Sequence, residues 1–299
     1  MLSSLGVVDP FDSNHRLVSS PLYTTPTLSF QRLMLVIYGC ASLVTSLVFE
    51  SVVLRQGNIW FSFFTHLTFI GLIAYLVVST YHGFKYKPSP SSSYTYPLQQ
   101  WPQSLQVLHV LLLSTVTTLP FLVTICYWVL LLSPTTFSTP YRTWSSISFH
   151  MFNSVVALLE IITTNIPPLP WMTLPACLLV LLAYLGMAYI THASQGVYPY
   201  AFLDPHIQHS KLAAYICGIA LAEVIIFILV RYAIILRDKI SKFGLCHEGD
   251  TQPSKEGLDE WEEVHWNDVE HPRKSAGNTA GGTDSERSET DENCIGVAV

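Results

Sequence analysis

Six long apolar stretches constrain the fold of this chain more than any other feature. Each is long enough to cross the hydrocarbon core of a bilayer, which takes about 20 helical residues. Backbone groups in lipid must be hydrogen-bonded internally, and the stretches are too long and too uniformly apolar for barrel strands. The sequence therefore predicts an all-α membrane protein, a bundle of six transmembrane helices at Phe30 to Leu54, Ile59 to His82, Ser104 to Leu132, Trp144 to Ile166, Pro170 to Ser194 and Lys211 to Arg237.

Charge divides the chain into three parts. Only 12% of the 299 residues are charged, yet 14 of the 21 acidic residues lie from Leu245 onward. We predict an N-terminal cytosolic segment at 1–29, a membrane domain at 30–237 and an acidic tail at 238–299. The tail is too polar to offset its chain entropy by burial, so we expect it to be disordered. Its stretch "LDEWEEVHW" is the alternative, a short helix that binds a protein partner.

Lysine and arginine residues predict the orientation of the bundle, because they favour the cytosolic side. With a cytosolic N-terminus, the inner segments hold more of them than the outer ones, and six spans place both termini in the cytosol. The opening residues do not resemble a cleavable signal peptide. None of the six cysteines lies in a predicted outer loop, so we expect no disulfide framework. The inner basic residues are Arg16, Arg32, Lys85, Lys87, Arg237, Lys239 and Lys242, and the outer ones are Arg55, Arg142 and Lys211.

Polar residues inside two of the apolar stretches are the candidate functional residues, since each is costly in a membrane unless it is paired or hydrated. The fourth stretch contains "SFHMFNSVVALLE", in which His150, Asn153 and Ser154 fall on one helical face, with Glu160 near it. The second stretch contains "FSFFTHLTF" and presents a stripe of hydroxyl side chains that includes Thr65.

Depth predicts that Thr65 and His150 lie at one level. Each is six residues beyond the predicted outer end of its helix, which is about 9 Å at 1.5 Å per residue. A threonine hydroxyl with a histidine base is a minimal acyl-transfer pair. The alternatives are structural: a threonine hydroxyl that bonds to its own helix, and a histidine that ties helices together. Two other span histidines, His82 and His109, are predicted near the inner face, too far to reach Thr65.

Three ordered segments carry a resemblance to a known family. They are "WFSFFTHLTFIGLIAYL", "WSSISFHMFNSVVALLEI" and "THASQGVYPYAFLDP". In this order and spacing they resemble the androgen-induced-protein family of multi-pass membrane proteins and its rolling-stone relatives, over about residues 30 to 237. The resemblance implies an intramembrane threonine hydrolase that cleaves fatty acid esters of hydroxy fatty acids, in the endoplasmic reticulum or another endomembrane. The family's threonine and histidine correspond by motif to Thr65 and His150.

Three further residues are candidate supporting groups. Asn153 either orients the base, fills an oxyanion role or bonds between helices, and the last is the commonest use of such a residue. His192 lies near the outer end of the fifth helix and is a possible third member. Asp204 either orients a catalytic group or caps a loop before proline. Glu160 is about 15 Å along the axis from His150, too far for a simple triad, and Glu223 is expected to be paired or protonated.

Other chemistries are excluded or disfavoured by the residue pattern. No span contains the His-x-x-x-His spacing of helical zinc sites, and His206 and His209 are three residues apart beside a proline in a loop, so we expect neither metal nor cofactor. No basic aromatic stripe indicates nucleic acid binding. The expected partners are the bilayer and a lipid ester. The competing hypothesis is a non-enzymatic membrane protein: a transporter, a lipid-binding scaffold or a rolling-stone-like adhesion factor.

Overall fold

The computed structural model describes residues 2–88 and 95–249, and every regular element in these ranges is a helix. Six helical segments are long and apolar enough to cross a membrane, which confirms the predicted all-α bundle of six spans. The α-helices are α1 Thr25–Val52, α2 Phe64–Lys85, α3 Gln103–Cys126, α4 Pro140–His150, α5 Phe152–Thr163, α6 Leu174–Gln195, α7 Pro205–Gln208 and α8 Lys211–Gly249.

Local chemistry explains where several of these helices begin and end. Thr24 caps α1 by accepting from the Thr27 N–H, and Thr139 caps α4 by accepting from the Arg142 N–H. A proline follows each cap, where its missing N–H costs nothing. Helix α6 ends at Gly196, whose φ of 74° is the left-handed conformation that glycine adopts freely.

The fourth span is broken at Met151, whereas the sequence predicts one continuous helix. The Ser154 N–H bonds to the Met151 carbonyl, so the His150 carbonyl is freed from the helical ladder. The Thr124 hydroxyl donates to that carbonyl at 2.5 Å. Helix α3 is also irregular, since it contains Pro120 and continues as a π-helical turn over Tyr127–Leu131. Two distorted helices therefore face each other near His150.

Helices α1 and α2 pack closely through small residues. A Cβ added at Gly39 would lie 1.9 Å from Ile73 Cδ1, and one added at Gly83 would lie 2.1 Å from Ser29 Oγ. Small residues let membrane helices approach until their backbones are nearly in contact. Residues 59–62, which the sequence places in the second span, belong instead to a separate 3₁₀ segment, Gly57–Ser62.

A buried ion pair ties α1 to α5. Arg32, fully buried, donates to both carboxylate oxygens of Glu160, and the Tyr75 hydroxyl donates to the same carboxylate at 2.7 Å. The guanidinium also bonds to the Leu17 carbonyl. This arrangement satisfies both charges inside the bundle, as burial requires.

The N-terminal segment, residues 2–24, packs against one end of the bundle, which we call the inner end. Gln99 donates to the Phe11 carbonyl, and Arg16 donates to the Asn165 carbonyl at 2.7 Å and to Asp238 at 2.5 Å. The segment therefore touches two loops and the last span. Its buried apolar side chains are Val7, Phe11, Leu17 and Val18.

Within the described residues, 2–238 form one compact unit. The predicted acidic tail begins at residue 238, within α8, and its part from residue 250 onward, with the stretch "LDEWEEVHW", lies outside the described residues. The described cysteines Cys40, Cys126, Cys177 and Cys217 are all free thiols.

Candidate functional site

A cavity of about 250 Å³ lies at the outer end of the bundle, opposite the N-terminal segment. It is bordered by the start of α2, the end of α3, the middle of α6, the loop before α7 and the start of α8. Most of its wall is aliphatic or aromatic. The polar side chains on this wall are Thr65, Cys126, Tyr127, Tyr184 and Tyr200.

Thr65 lies in the first turn of α2, because the helix begins at Phe64 rather than at Ile59. Threonines deeper in a helix bond to a carbonyl of the preceding turn, as Thr68 does to the Phe64 carbonyl at 3.0 Å. In the part of the chain that the structure describes, the only partner of the Thr65 hydroxyl is the Tyr200 hydroxyl, at 3.4 Å. The structural alternative of a threonine bonded to its own helix therefore does not hold for Thr65.

Tyr200 reaches the start of α2 from the loop between α6 and α7. Burial raises the pKa of its hydroxyl, while the nearby Thr65 side chain and the nearby backbone of Thr65 and Phe64 oppose this. The first N–H groups of a helix lack partners within it, so the start of α2 offers donors to an oxygen at this position. The Tyr200 hydroxyl therefore lies beside the start of α2, within hydrogen-bond distance of the Thr65 hydroxyl.

His150 is the last residue of α4. Its Nδ1 lies 3.2 Å from the Ser146 carbonyl, so Nδ1 carries the proton and Nε2 keeps its lone pair in the neutral ring. The imidazole stacks on the Tyr127 ring with centroids 3.5 Å apart. Because Tyr127 also lines the cavity, its ring lies between the imidazole and the cavity space.

The structure does not join Thr65 and His150 by a hydrogen bond among the residues it describes. The two are nevertheless close in level, since Phe149 packs against His66 and Phe69 in the first turns of α2. Their approach within hydrogen-bond reach stays a prediction.

Asn153 does not bond between helices, contrary to the commonest expectation for such a residue. It is fully buried, and neither its amide nitrogen nor its amide oxygen has a partner in residues 2–88 and 95–249. The break at Met151 explains this, because the bonds between α3 and α5 are made instead by Ser154, whose hydroxyl donates to the Pro120 carbonyl at 2.9 Å.

The other two predicted supporting residues lie at the rim of the outer end. His192 is half-buried near the end of α6 and stacks on Tyr198, with centroids 3.9 Å apart. Asp204 accepts from the His206 N–H at 2.8 Å and is the N-cap of α7. The capping alternative therefore accounts for Asp204.

Two buried carboxylates lie away from the cavity wall. Glu160 is held by Arg32 and Tyr75, and Glu223 accepts from the Thr118 hydroxyl at 2.7 Å. Within the ranges that the structure covers, no three histidine, cysteine, aspartate or glutamate side chains gather as a metal site would require.

The sequence did not indicate Tyr127 or Tyr200 as site residues. Both lie outside the polar stripes, and a tyrosine near the end of a membrane helix is usually interpreted as an anchor at the membrane interface. The "GVYPYAFLD" segment of the resemblance was the one signal for Tyr200.

The arrangement is an apolar chamber at the outer end of a membrane bundle, with one threonine hydroxyl free of its helix and one histidine behind a tyrosine ring. In comparisons with known proteins, no protein-family profile, curated protein or solved structure matches this chain.

Proposed function

We propose that the chain is an integral membrane hydrolase that cleaves fatty acyl esters, such as fatty acid esters of hydroxy fatty acids, with Thr65 as nucleophile and His150 as base. The observation that supports this most is the Thr65 hydroxyl, which is free of its own helix and lines an apolar cavity. An apolar cavity with few polar groups suits an acyl chain that carries one ester.

In the proposed reaction, His150 Nε2 takes the proton from Thr65 Oγ1 as that oxygen attacks the ester carbonyl. The carbonyl carbon becomes tetrahedral, and the alcohol leaves with the proton from His150. Water then attacks the acyl-threonine ester, giving up a proton to His150, and the fatty acid is released as Thr65 regains its hydrogen.

Negative charge develops on the carbonyl oxygen in both steps. The N–H groups at the start of α2, aided by its dipole, are the proposed donors to this oxygen. In this scheme the Tyr200 hydroxyl occupies the place of the carbonyl oxygen when no ester is bound.

The proposal requires a movement of Tyr127. Its ring covers the His150 imidazole on the cavity side, so proton transfer to His150 occurs after an acyl chain in the cavity displaces that ring. Exclusion of water by the chain then strengthens the interactions of the developing charge.

Labelling with a fluorophosphonate probe tests the assignment on purified protein. Thr65→Ala and His150→Gln are expected to lower both labelling and ester hydrolysis by at least about 100-fold, and Thr65→Ser to retain part of each. The matched controls are Thr117→Ala, whose hydroxyl bonds to its own helix, and His109→Gln, a buried histidine on α3. Equal labelling of wild type and Thr65→Ala would remove the assignment.

The second candidate function is lipid binding without catalysis, as in a scaffold or transport protein. Two observations favour it: Thr65 and His150 share no hydrogen bond in the described residues, and Tyr127 covers the imidazole. Deleting residues 246–299 separates the candidates. If the chain is a hydrolase, the deletion variant retains ester cleavage. If it is a scaffold that works through the tail, wild type shows no ester cleavage and the deletion variant loses its binding partner.

The compartment and orientation are part of the proposal. We place the protein in the endoplasmic reticulum or another endomembrane with both termini in the cytosol, on the basis of the lysine and arginine distribution and the family resemblance.

A further inference from the structure

A second cavity, of about 370 Å³, lies beside the first and belongs to no feature discussed so far. It is bordered by α2, α3 and α6, one to two helical turns further from the outer end than Thr65. The residues that matter for its chemistry are Thr68, Gly71, Thr115, Ala183 and Met187.

The polar groups of this cavity are already satisfied. The Thr68 hydroxyl donates to the carbonyls of Phe64 and Thr65, and the Thr115 hydroxyl donates to the Leu112 carbonyl at 2.8 Å. Both hydroxyls therefore turn toward their own helices and leave methyl groups and aliphatic side chains on the wall. Apolar cavities of this kind exclude water, and the apolar material around a membrane helix is hydrocarbon chain.

The two cavities share a wall. Phe64 and Tyr184 line both, and their rings are 4.7 Å apart. The Tyr184 hydroxyl is anchored to the Ser62 carbonyl at 3.0 Å, which holds the ring in place. Since Thr65 follows Phe64 directly, its hydroxyl lies beside the point where the two spaces meet.

We infer that the second cavity binds one hydrocarbon chain of a two-chain lipid ester, while the other chain lies in the first cavity and the ester meets Thr65 beside the shared wall. The position of the ester beside Thr65 rests on the proposed function, whereas the binding of a hydrocarbon chain in the second cavity does not. Short-alcohol esters fill one cavity only and are the poorer substrates.

Gly71 is the residue that keeps the second cavity open. A Cβ at this position would have Leu112 Cδ1 as its nearest neighbour, at 4.0 Å, so a larger side chain enters the cavity rather than a packed wall. A leucine there fills space that a chain would occupy. Gly71→Leu is therefore a specificity variant that leaves the Thr65 side of the wall unchanged.

The kinetic test compares two esters with the same acyl group, one with a long alcohol chain and one with a short one. Gly71→Leu is expected to lower kcat/KM for the long-chain ester by about tenfold or more, the effect of displacing a methylene or more from a fitted pocket, and to leave the short-chain ester unchanged. Ala220→Leu, which fills the first cavity, is expected to lower both. The control is Gly186→Leu, at a glycine on α6 with nothing within 4 Å and outside both cavity walls.

Photocrosslinking separates failure of this inference from failure of the proposed function. The probe is a two-chain ether analogue with a diazirine in each chain, which binds but is not cleaved. Crosslinks on Thr115 or Met187 that vanish in Gly71→Leu and persist in Gly186→Leu support the second cavity, even if the wild type hydrolyses no ester. Crosslinks confined to the first cavity, or unchanged in Gly71→Leu, overturn it, even if Thr65 proves to be the nucleophile.

Discussion

The buried contact between Arg32 and Glu160 gives the strongest test of how the bundle is held together. Replacing Glu160 with leucine leaves a fully buried guanidinium with the Leu17 carbonyl, 3.3 Å away, as its remaining partner in the described chain. Removing one member of a buried ion pair costs about 3–5 kcal/mol. The Tyr75 hydroxyl also loses its acceptor, which costs about 1 kcal/mol more. The expected loss of unfolding free energy for Glu160→Leu is therefore about 4–6 kcal/mol.

The double variant distinguishes a specific ion pair from general damage to the core. Arg32→Leu alone is expected to cost about 3–5 kcal/mol, but Arg32→Leu with Glu160→Leu removes both charges, and such replacements are often neutral or stabilising. We expect the double variant to be more stable than either single variant, with a coupling energy above about 3 kcal/mol.

The assay is equilibrium unfolding of purified protein in mixed micelles with increasing sodium dodecyl sulfate, followed by tryptophan fluorescence. Tyr75→Phe provides the separate cost of the hydroxyl, expected near 1 kcal/mol. Glu50→Gln, at a part-buried contact with Tyr141 whose acceptor oxygen glutamine retains, is the control and is expected to change stability by less than about 1 kcal/mol. Additive losses from the two leucine replacements would refute the reasoning.

Three further predictions follow from other parts of the molecule. Burial raises the pKa of the Asp12 carboxyl, so its contribution to stability is fully present below its ordinary pKa of 3.8 and is lost as pH rises through the folded-state pKa. Wild type should therefore lose stability over that rise in pH, whereas Asp12→Asn should not. Thermal unfolding across a pH series measures the difference. Gly39→Leu should destabilise the protein by about 1–3 kcal/mol, because the new side chain meets Ile73, whereas Gly186→Leu in the same unfolding assay should change it little. Glycosylation acceptors inserted in the "SPTTFSTP" loop should be modified and those in the "KPSPSSSY" loop should not; the reverse pattern would invert the proposed orientation.

The six spans were predictable because hydrocarbon thickness imposes a length on every apolar helix. The break at Met151 was not, since no proline or glycine lies between Ser148 and Val155. It accompanies tertiary bonds from Thr124 and Ser154, whose partners lie on another helix. The conformational preferences of neighbouring residues do not predict such contacts between separate helices.

In the candidate site too, some residues could be predicted from the sequence and others could not. Thr65 was found because a hydroxyl near the end of an apolar stretch is visible in the sequence. Arg32 was interpreted as a marker of orientation, and Glu160 as an acid near the polar stripe of the fourth span, because the two are 128 residues apart along the chain. Tyr127 and Tyr200 became site residues only when three elements converged on one cavity.

The docked N-terminal segment has a consequence for the biogenesis of the protein. Arg16 leaves the ribosome 222 residues before Asp238, its ion-pair partner on the last span. Because this segment is translated before all six spans, it cannot complete its contacts until the last span has been inserted. Bulky fusions at the N-terminus should slow this closing step, whereas the order of insertion of the spans should be unaffected.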